Sequence, residues 1–352
     1  MSFSIAFATS ATSTPMGQQV YEEELIARAQ TVLGPTAKVT RTIARSLRSE
    51  LPGTVRLPAW LTARAPTSIR RMAGAALYRG ADVVHRMGLG MPPAHVPEVI
   101  TVHDTIAWRF DDESRPEPFV AAELRRAAAV ITPSQSSADD IAELFAPPHV
   151  QVIPNGVDIR FYDAPALPDA SLRGLGITGP FVLHMGGASR RKNLEGLAEA
   201  WKTISHARPD VSLVLCGPDH PRRTDLFARL PRTVLVGRLA ADLIPGLAAA
   251  ASVVVVPSLY EGFGLPALEA MAVGTPVVAA RTSSLPEVIQ DGGTLVDPTP
   301  DGIAEGVVWA LTGDSVINQQ VSRGRARAVK FTWERSAAAH AEVWRAAAAE
   351  GR

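Results

Sequence analysis

The sequence is short of cysteine, of net charge and of long apolar runs, and each shortage removes a class of protein. Cys216 is the only cysteine among 352 residues, which excludes an intrachain disulfide, a cysteine zinc cluster and a thiol-pair redox centre. A reducing, cytoplasmic compartment fits. Lys plus Arg equals Asp plus Glu at 35 each, so no whole-molecule field draws the chain to nucleic acid, and an anionic partner has to be met by a local patch. No stretch of about eighteen apolar residues is free of charges or helix breakers, so no transmembrane span is predicted. The protein is expected to be soluble, or at most peripheral at the inner face of a membrane. The first residues, MSFSIAFATSATSTPMG, lack a basic start and read as a buried strand, not a signal peptide. Repeats of solenoid period and low-complexity tracts are missing as well.

What is present is apolar material in short, repeated pieces. The hydrophobic share is 46%, and the length suits two α/β domains better than one. SIAFAT, DVVH, EVITVHD, AVITPS and VQVIPNG alternate with helical patterns, and the alternation restarts with FVLHMGG, VSLVLCGP, TVLVGRL, SVVVVPS, TPVVAAR and GGTLVDP. Uniformly apolar strands separated by helices predict parallel sheets covered on both faces. The predicted architecture is α/β with two doubly wound domains. Residues 1–162 form the first, 163–179 a Pro-, Gly- and Ala-rich linker and 180–331 the second, while 332–352 is a helix, anchored by Trp333 and Trp344, that packs back on the first.

Charge is unevenly spread within this frame. From Lys38 to Arg86 the chain carries Arg41, Arg45, Arg48, Arg56, Arg64, Arg70, Arg71 and Arg79, opposed by Glu50 and Asp82. This stretch reads either as a solvated basic face or as a surface for anionic lipid or a phosphate-bearing acceptor. Asp111-Asp112 and Asp139-Asp140 do not have the setting of a metal-binding D-x-D at a strand edge and are read as solvent-facing, so no metal site is expected.

PSLYEGFGLPALEAMAVGTPVVAA, from Pro257 to Ala280, carries the most chemistry. It leaves the carboxyl end of an apolar strand, where open α/β sheets bind ligands. Gly262 and Gly264 let the backbone approach a ligand closely, and a helix begins at Pro266, which suits a first helical position. The amides around Phe263, Gly264 and Leu265, with the helix dipole behind them, would face an anion. A diphosphate is the natural occupant. Carboxylates beside a diphosphate need a reason, and sugar diols supply it, because two carboxylate oxygens accept from neighbouring hydroxyls. Glu261, on the loop, is assigned to the transferred hexose and Glu269, one turn into the helix, to the ribose.

These residues resemble the hallmark of glycosyltransferase family 4, a pair of glutamates eight positions apart in an E-G-F-G-L-P-x-L-E-A-M-A setting. The resemblance extends over nearly the whole chain. Pro15-Met16-Gly17-Gln18-Gln19-Val20-Tyr21 looks like the family's first loop, with Gly17 a candidate substrate contact, and His103-Asp104 looks like its histidine after a first-domain strand. Thr132 to Ser137 and Val152 to Asp158 match further blocks. The resemblance implies a GT-B fold, two Rossmann-like domains facing across a cleft, a nucleotide-sugar donor and retention of anomeric configuration. It places His103 opposite the transferred sugar.

In Gly186-Gly187-Ala188-Ser189-Arg190-Arg191-Lys192-Asn193, fixed cations would stabilise the charge growing on a diphosphate leaving group. Lys192 is the first candidate and Arg191 the second. Many relatives carry an arginine directly after the first glycine of this block; here that position is Gly187, which leaves Arg190 or Arg191 to supply the charge. The R-K-N variant resembles a branch associated with mannosyl transfer, so GDP-mannose is the expected donor and a UDP-sugar the alternative. Gly217, Val236, Gly237 and Arg238 follow second-domain strands and are assigned to base and ribose. His85 reads as an acceptor contact or a surface histidine, and His184 and Cys216 as core. No cofactor is expected, and the acceptor is read as a glycan, a lipid-linked sugar or a small molecule. An epimerase or hydrolase on the same fold, or a binding module without chemistry, are the alternatives; incubating donor without acceptor separates the first from transfer, and binding of a nucleoside diphosphate without sugar release in the presence of cell-envelope acceptors would mark the second.

Overall fold

Runs of β-branched residues become the centre of two parallel sheets. Residues 3–12, 17–58, 60–61, 64–113 and 118–351 are described by the computed structural model. The first sheet contains β1 (Ser4–Ser10), β2 (Lys38–Ser46), β3 (Val55–Leu57), β4 (Val83–Arg86), β5 (Glu98–Thr101), β6 (Ala129–Thr132) and β7 (Val150–Val152), in the order β3-β2-β1-β4-β5-β6-β7. The second contains β8 (Phe181–Met185), β9 (Ser212–Cys216), β10 (Thr233–Gly237), β11 (Val253–Val256), β12 (Val277–Ala280) and β13 (Thr294–Val296), in the order β10-β9-β8-β11-β12-β13. The ladders of both sheets are parallel. Central strands such as β8 and β11 are buried along their whole length, which is why they carry no alternation, whereas the edge strand β10 is only half-buried.

One unit comprises 1–156 with 333–352, and the other 157–332. The chain therefore crosses between them at Gly156 and at Thr332, and the expected linker 163–179 is corrected: it belongs to the second unit. Its leucines decide this. Leu167, Leu172 and Leu175 pack against the second core, Ile177 is 1% exposed within it, and the Leu167 amide donates to the Gly246 carbonyl at 3.0 Å. The short helix Asp169–Gly174 lies in this segment.

In the first unit the helix Trp333–Glu350 buries Trp333 and Trp344 beside the helix Gly17–Leu33 and the strands β1, β4 and β5. A chain of hydrogen bonds fixes it there. The Trp344 indole can only donate, and it reaches His85 Nδ1 at 3.2 Å, so the His85 proton sits on Nε2 and goes to Thr101 Oγ1 at 2.7 Å. Thr101 then donates to the Tyr21 hydroxyl, and Tyr21 to His340 Nε2, each at 2.7 Å. His340 Nδ1 ends the chain on the Ser336 carbonyl at 2.7 Å, a group that can only accept. His85 is thereby neutral, and burial, which lowers His340 to about 4, makes it the neutral ring that accepts from Tyr21. The surface or acceptor role considered for His85 is corrected, since it is fully buried in this chain.

The basic stretch is not one face either. β2 and β3, which the apolar runs did not announce, occupy part of it. Arg70 and Arg86 are fully buried: Arg70 Nε donates to Glu123 Oε1 at 3.2 Å, Arg86 Nη1 to Glu123 Oε2 at 2.7 Å, and Arg86 Nε lies 3.4 Å from Glu98. Asp140, expected in solvent, is half-buried and accepts from Thr105 Oγ1 at 3.1 Å and from Arg109. Among the described residues no helix is long and apolar enough to cross a membrane.

Candidate functional site

β8 and β11 are neighbours in the second sheet but far apart in the chain, so strand order reverses between them. Connections leave such a pair in opposite directions and open a crevice at the carboxyl ends. The loop after β8 carries Arg190 to Lys192 in a single 3-10 turn, and the loop after β11 carries Glu261. Lys192 Nζ donates to Glu261 Oε1 at 2.6 Å and Arg191 Nη1 to Glu261 Oε2 at 2.9 Å. Ser258 Oγ adds a bond to Oε1 at 2.7 Å. The three charged residues thus form one cluster of formal charge +1. Burial alone would raise the Glu261 carboxyl; Lys192 and Arg191 outweigh it and hold it down at about 2.

Backbone and polar side chains fix this cluster. Asn193 takes the left-handed conformation, φ 53°, between the 3-10 turn and the helix Leu194–Ala207, a conformation asparagine tolerates better than most residues. Its amide donates to the carbonyls of Pro257 at 3.0 Å and Pro298 at 2.9 Å, tying the loop after β8 to those after β11 and β13. The Leu259 amide donates to the Arg191 carbonyl at 2.7 Å. From the other side Ser283 Oγ accepts the Glu261 amide and Ser284 Oγ donates to the Glu261 carbonyl, both at 2.8 Å. Asn193 was noted only as the end of the R-K-N run, and Ser258, Ser283 and Ser284 were not singled out in the sequence. Of these only Asn193, directly after the R-R-K run, carried a local signal.

The helix expected to face an anion runs from Leu265 to Val273, with Pro266 at its second position. Gly264 precedes it at φ +94°, and no side chain caps it, so the first-turn amides are left to other acceptors. A side chain at Gly264 would be strained by that φ and would meet Leu285 at 2.7 Å. Phe263 is buried, at 5.8 Å from the Phe331 ring, and Leu265 is half-buried. Glu269 lies on the same helix, half-buried; burial first, then the charge of Asp158, raises its carboxyl to about 7. It is therefore poised between its charged and neutral forms near neutral pH.

Gly217 and Gly237, the two glycines assigned to the nucleoside, are brought together: the Gly217 amide donates to the Gly237 carbonyl at 2.9 Å. A Cβ on Gly217 would lie 2.0 Å from the Gly186 carbonyl, so the loops after β8 and β9 touch only because Gly217 is glycine. Arg223, buried and unforeseen, clamps both loops by donating to the carbonyls of Pro218, at 2.7 Å, and Gly186. Val236 is half-buried beside Gly237, and Arg238 follows them. Arg190 is exposed. His184, read as core, is buried and bonded through Nδ1 to the Val255 carbonyl at 3.2 Å; burial, then the Lys192 charge, lowers it to about 4. Among the described residues no group of three or more His, Cys, Asp or Glu side chains gathers in metal-binding range.

In the first unit His103 follows β5, and its ring stands edge-on to Tyr21 at 4.6 Å. Its Nε2 is buried without a hydrogen-bond partner, and burial lowers it to about 4, so the ring is neutral. Gly17 opens the helix that carries Tyr21 and is exposed. Pro15 and Met16 of that loop lie outside the described residues.

Two parallel-sheet Rossmann-like units with a reversal-point site define the class of GT-B glycosyltransferases. The sucrose-phosphate synthase of Thermosynechococcus elongatus shares this fold, with TM-score 0.76 at 24% identity over 97% of this chain and 98% of that one. Residues 22–161 match Glycosyltransferase Family 4, and 179–313 match Glycosyl transferases group 1. The chain is 30% identical over 276 residues to the O-antigen chain mannosyltransferase B of Escherichia coli, covering 73% of this chain and 71% of that protein. It is 32% identical over 303 residues to the MMP alpha-(1->4)-mannosyltransferase of Mycolicibacterium hassiacum, covering 76% and 71%. The chain belongs to glycosyltransferase family 4.

Proposed function

We propose that this glycosyltransferase transfers a hexose with retention of configuration and without a metal ion, from a nucleotide sugar to a glycan, lipid-linked or small-molecule acceptor of the cell envelope. The Lys192–Arg191–Glu261 cluster carries the reading. Its two cations are held in place by Glu261 before any ligand arrives, so a diphosphate would find charge stabilisation with little reorganisation. As the bond from the anomeric carbon to phosphate breaks, the growing charge on the leaving oxygens draws Lys192 and Arg191, the work a divalent cation does elsewhere. Glu261 then turns to the hexose hydroxyls, and Glu269 takes the ribose diol. The acceptor oxygen bonds the anomeric carbon on the face the phosphate leaves, and its proton passes to a phosphate oxygen. His103 serves as a neutral hydrogen-bonding group for the transferred sugar. The nucleoside lies along Gly217, Val236, Gly237 and Arg238.

GDP-mannose is the donor we favour, supported by the R-K-N run and by the two mannosyltransferase relatives. The arginines of the first-unit stretch that stay exposed, Arg48, Arg56, Arg64, Arg71 and Arg79, support a peripheral contact with an anionic membrane on the cytoplasmic side. A thermal-shift panel of nucleoside diphosphates and their sugars tests the donor, because a ligand bound only by the folded chain raises its apparent stability. GDP and GDP-mannose are expected to give the largest shifts. Largest shifts with UDP compounds would move the donor to a UDP-sugar, and no shift with any nucleotide would overturn the reading. Activity that disappears with EDTA and returns with a divalent cation would remove the metal-independent mechanism.

A further inference from the structure

The helix Thr67–Leu77 in the first unit turns Ala73 and Leu77 to a core but leaves two large apolar side chains outside. Its fully buried residues are Arg70 and Gly74, while Ile69 is 41% and Met72 74% exposed. An ordinary surface helix buries its large apolar residues before an arginine. Nothing in the packing would let the helix turn round. Arg70 donates to Glu123, to the carbonyls of Leu61 and Met91, each at 3.0 Å, and its guanidinium lies 3.4 Å over the Phe119 ring. A Cβ on Gly74 would sit 2.0 Å from the Pro93 carbonyl, so this face alone can lie against that loop. The inner face therefore forces Ile69 and Met72 outward.

A further exposed apolar side chain lies on the turn before the helix. The bond from Arg70 to Leu61 holds the preceding turn against the helix, and on that turn Trp60 is 53% exposed. Arg64, between that turn and the helix, and Arg71, on the helix, are exposed. Arg71 also lines a cavity of about 390 Å³ with Arg125, Arg126, His95 and His149. Two acids line it too: Glu98, already engaged by Arg86, and Glu350. An indole, two aliphatic side chains and a rim of arginines have the composition that seats at a lipid headgroup boundary, where apolar groups enter the acyl region and cations meet phosphates.

We propose that the outward face of Trp60, Ile69 and Met72, rimmed by Arg64 and Arg71, is a docking surface for an anionic phospholipid bilayer. The inference rests on the membrane contact proposed above and gives it a place in the fold. The apolar side chains supply insertion, the arginines supply charge complementarity, and the neighbouring cavity accepts headgroup phosphate. Its position in the first unit, the one left to the acceptor when the second holds the nucleotide sugar, suits a lipid-linked acceptor.

Co-sedimentation of the full chain with vesicles tests this, using phosphatidylcholine alone and phosphatidylcholine mixed with phosphatidylglycerol. Retention is expected on the mixed vesicles at low salt, with loss on phosphatidylcholine alone and at high salt. Trp60→Ser with Met72→Ser should lower the partition by about tenfold, and Arg64→Ser or Arg71→Ser by about fivefold each. The nucleoside-diphosphate thermal shift of each variant should match that of the unsubstituted chain, which confirms that the fold survives. Equal retention of the Trp60/Met72 variant would overturn the docking surface. So would a sedimentation-velocity dimer that Met72→Glu separates, since the face would then seat a second copy of this chain. A chain retained by anionic vesicles but stabilised by no nucleotide would leave this inference standing and remove the donor reading; the reverse result would do the opposite.

Discussion

Each unit holds a buried or nearly buried cluster of basic residues and glutamates, and the two differ in balance. In the first, Arg70 and Arg86 face Glu98 and Glu123, and the formal charges cancel. In the second, Lys192 and Arg191 share Glu261, and one positive charge remains. The first cluster lies among the carbonyls of Leu61 and Met91, which take further donors of its arginines, while Arg86 Nε and Nη2 are left without a hydrogen bond; the second lies where the strand order of its sheet reverses. Matched charges in a core hold elements together, whereas an imbalance at a sheet's carboxyl edge calls for an anionic ligand. Identical residue types thus serve support in one place and chemistry in the other.

That contrast predicts opposite responses to similar substitutions. Glu123→Gln leaves two buried arginines with less countercharge and should cost about 3–5 kcal/mol of stability, read from chemical denaturation. A loss below about 1 kcal/mol would show that the first cluster is not a support. Lys192→Ala should instead lower turnover about 100-fold or more, with little change in the denaturation midpoint. Unchanged turnover would end the claim that the second cluster is the catalytic one.

Acid should separate the units next. Burial holds His103 and His340 near 4 and His85 well below its usual value, all in the first unit, while His184 alone of the lowered histidines lies in the second. Unfolding lets each return to about 6.5. The unfolded chain then binds more protons, so the stability these neutral rings permit is complete above about pH 6.5 and declines toward pH 4, by about 1.4 kcal/mol per pH unit for each ring. Fluorescence of Trp333 and Trp344 should change at higher pH than that of Trp201 when single-tryptophan variants are titrated. Coincident transitions would contradict the difference.

The smallest effects fall on the donor. Glu269 titrates at about 7, so its carboxylate loses one acceptor site as pH falls through that value. The donor KM should rise by up to about tenfold between pH 8 and 6, and Glu269→Gln should flatten the profile. An unchanged profile in that variant would detach Glu269 from the donor. Gly264→Ala, at φ +94°, should cost about 1–2 kcal/mol, detected as a lower melting temperature together with weaker nucleotide binding.

Much of the second unit was legible because its signals are local. Val253 to Val256 announce a strand covered on both faces, and the glycines around Phe263 announce a turn before a helix, whatever else the chain does. The leucines of 163–179 were harder to read, because a Pro- and Gly-rich stretch looks like a linker until its few apolar side chains are seen to share a core. Arg70, Arg86 and His85 misled for a related reason. A polar side chain reads as exposed from sequence, and burial becomes favourable only once distant partners such as Glu123 and Trp344 satisfy it.

Period, composition and backbone preference determined, from the sequence alone, the two parallel sheets, the turn that carries Glu261 and the residues on either side of it, since each acts within a few positions along the chain. Tertiary structure decided which charges are cancelled and which remain, which histidines stay neutral, and which face of the helix Thr67–Leu77 meets solvent. Those outcomes depend on groups separated by tens to hundreds of residues, and the free energy of a buried charge is set by the neighbours that folding brings to it.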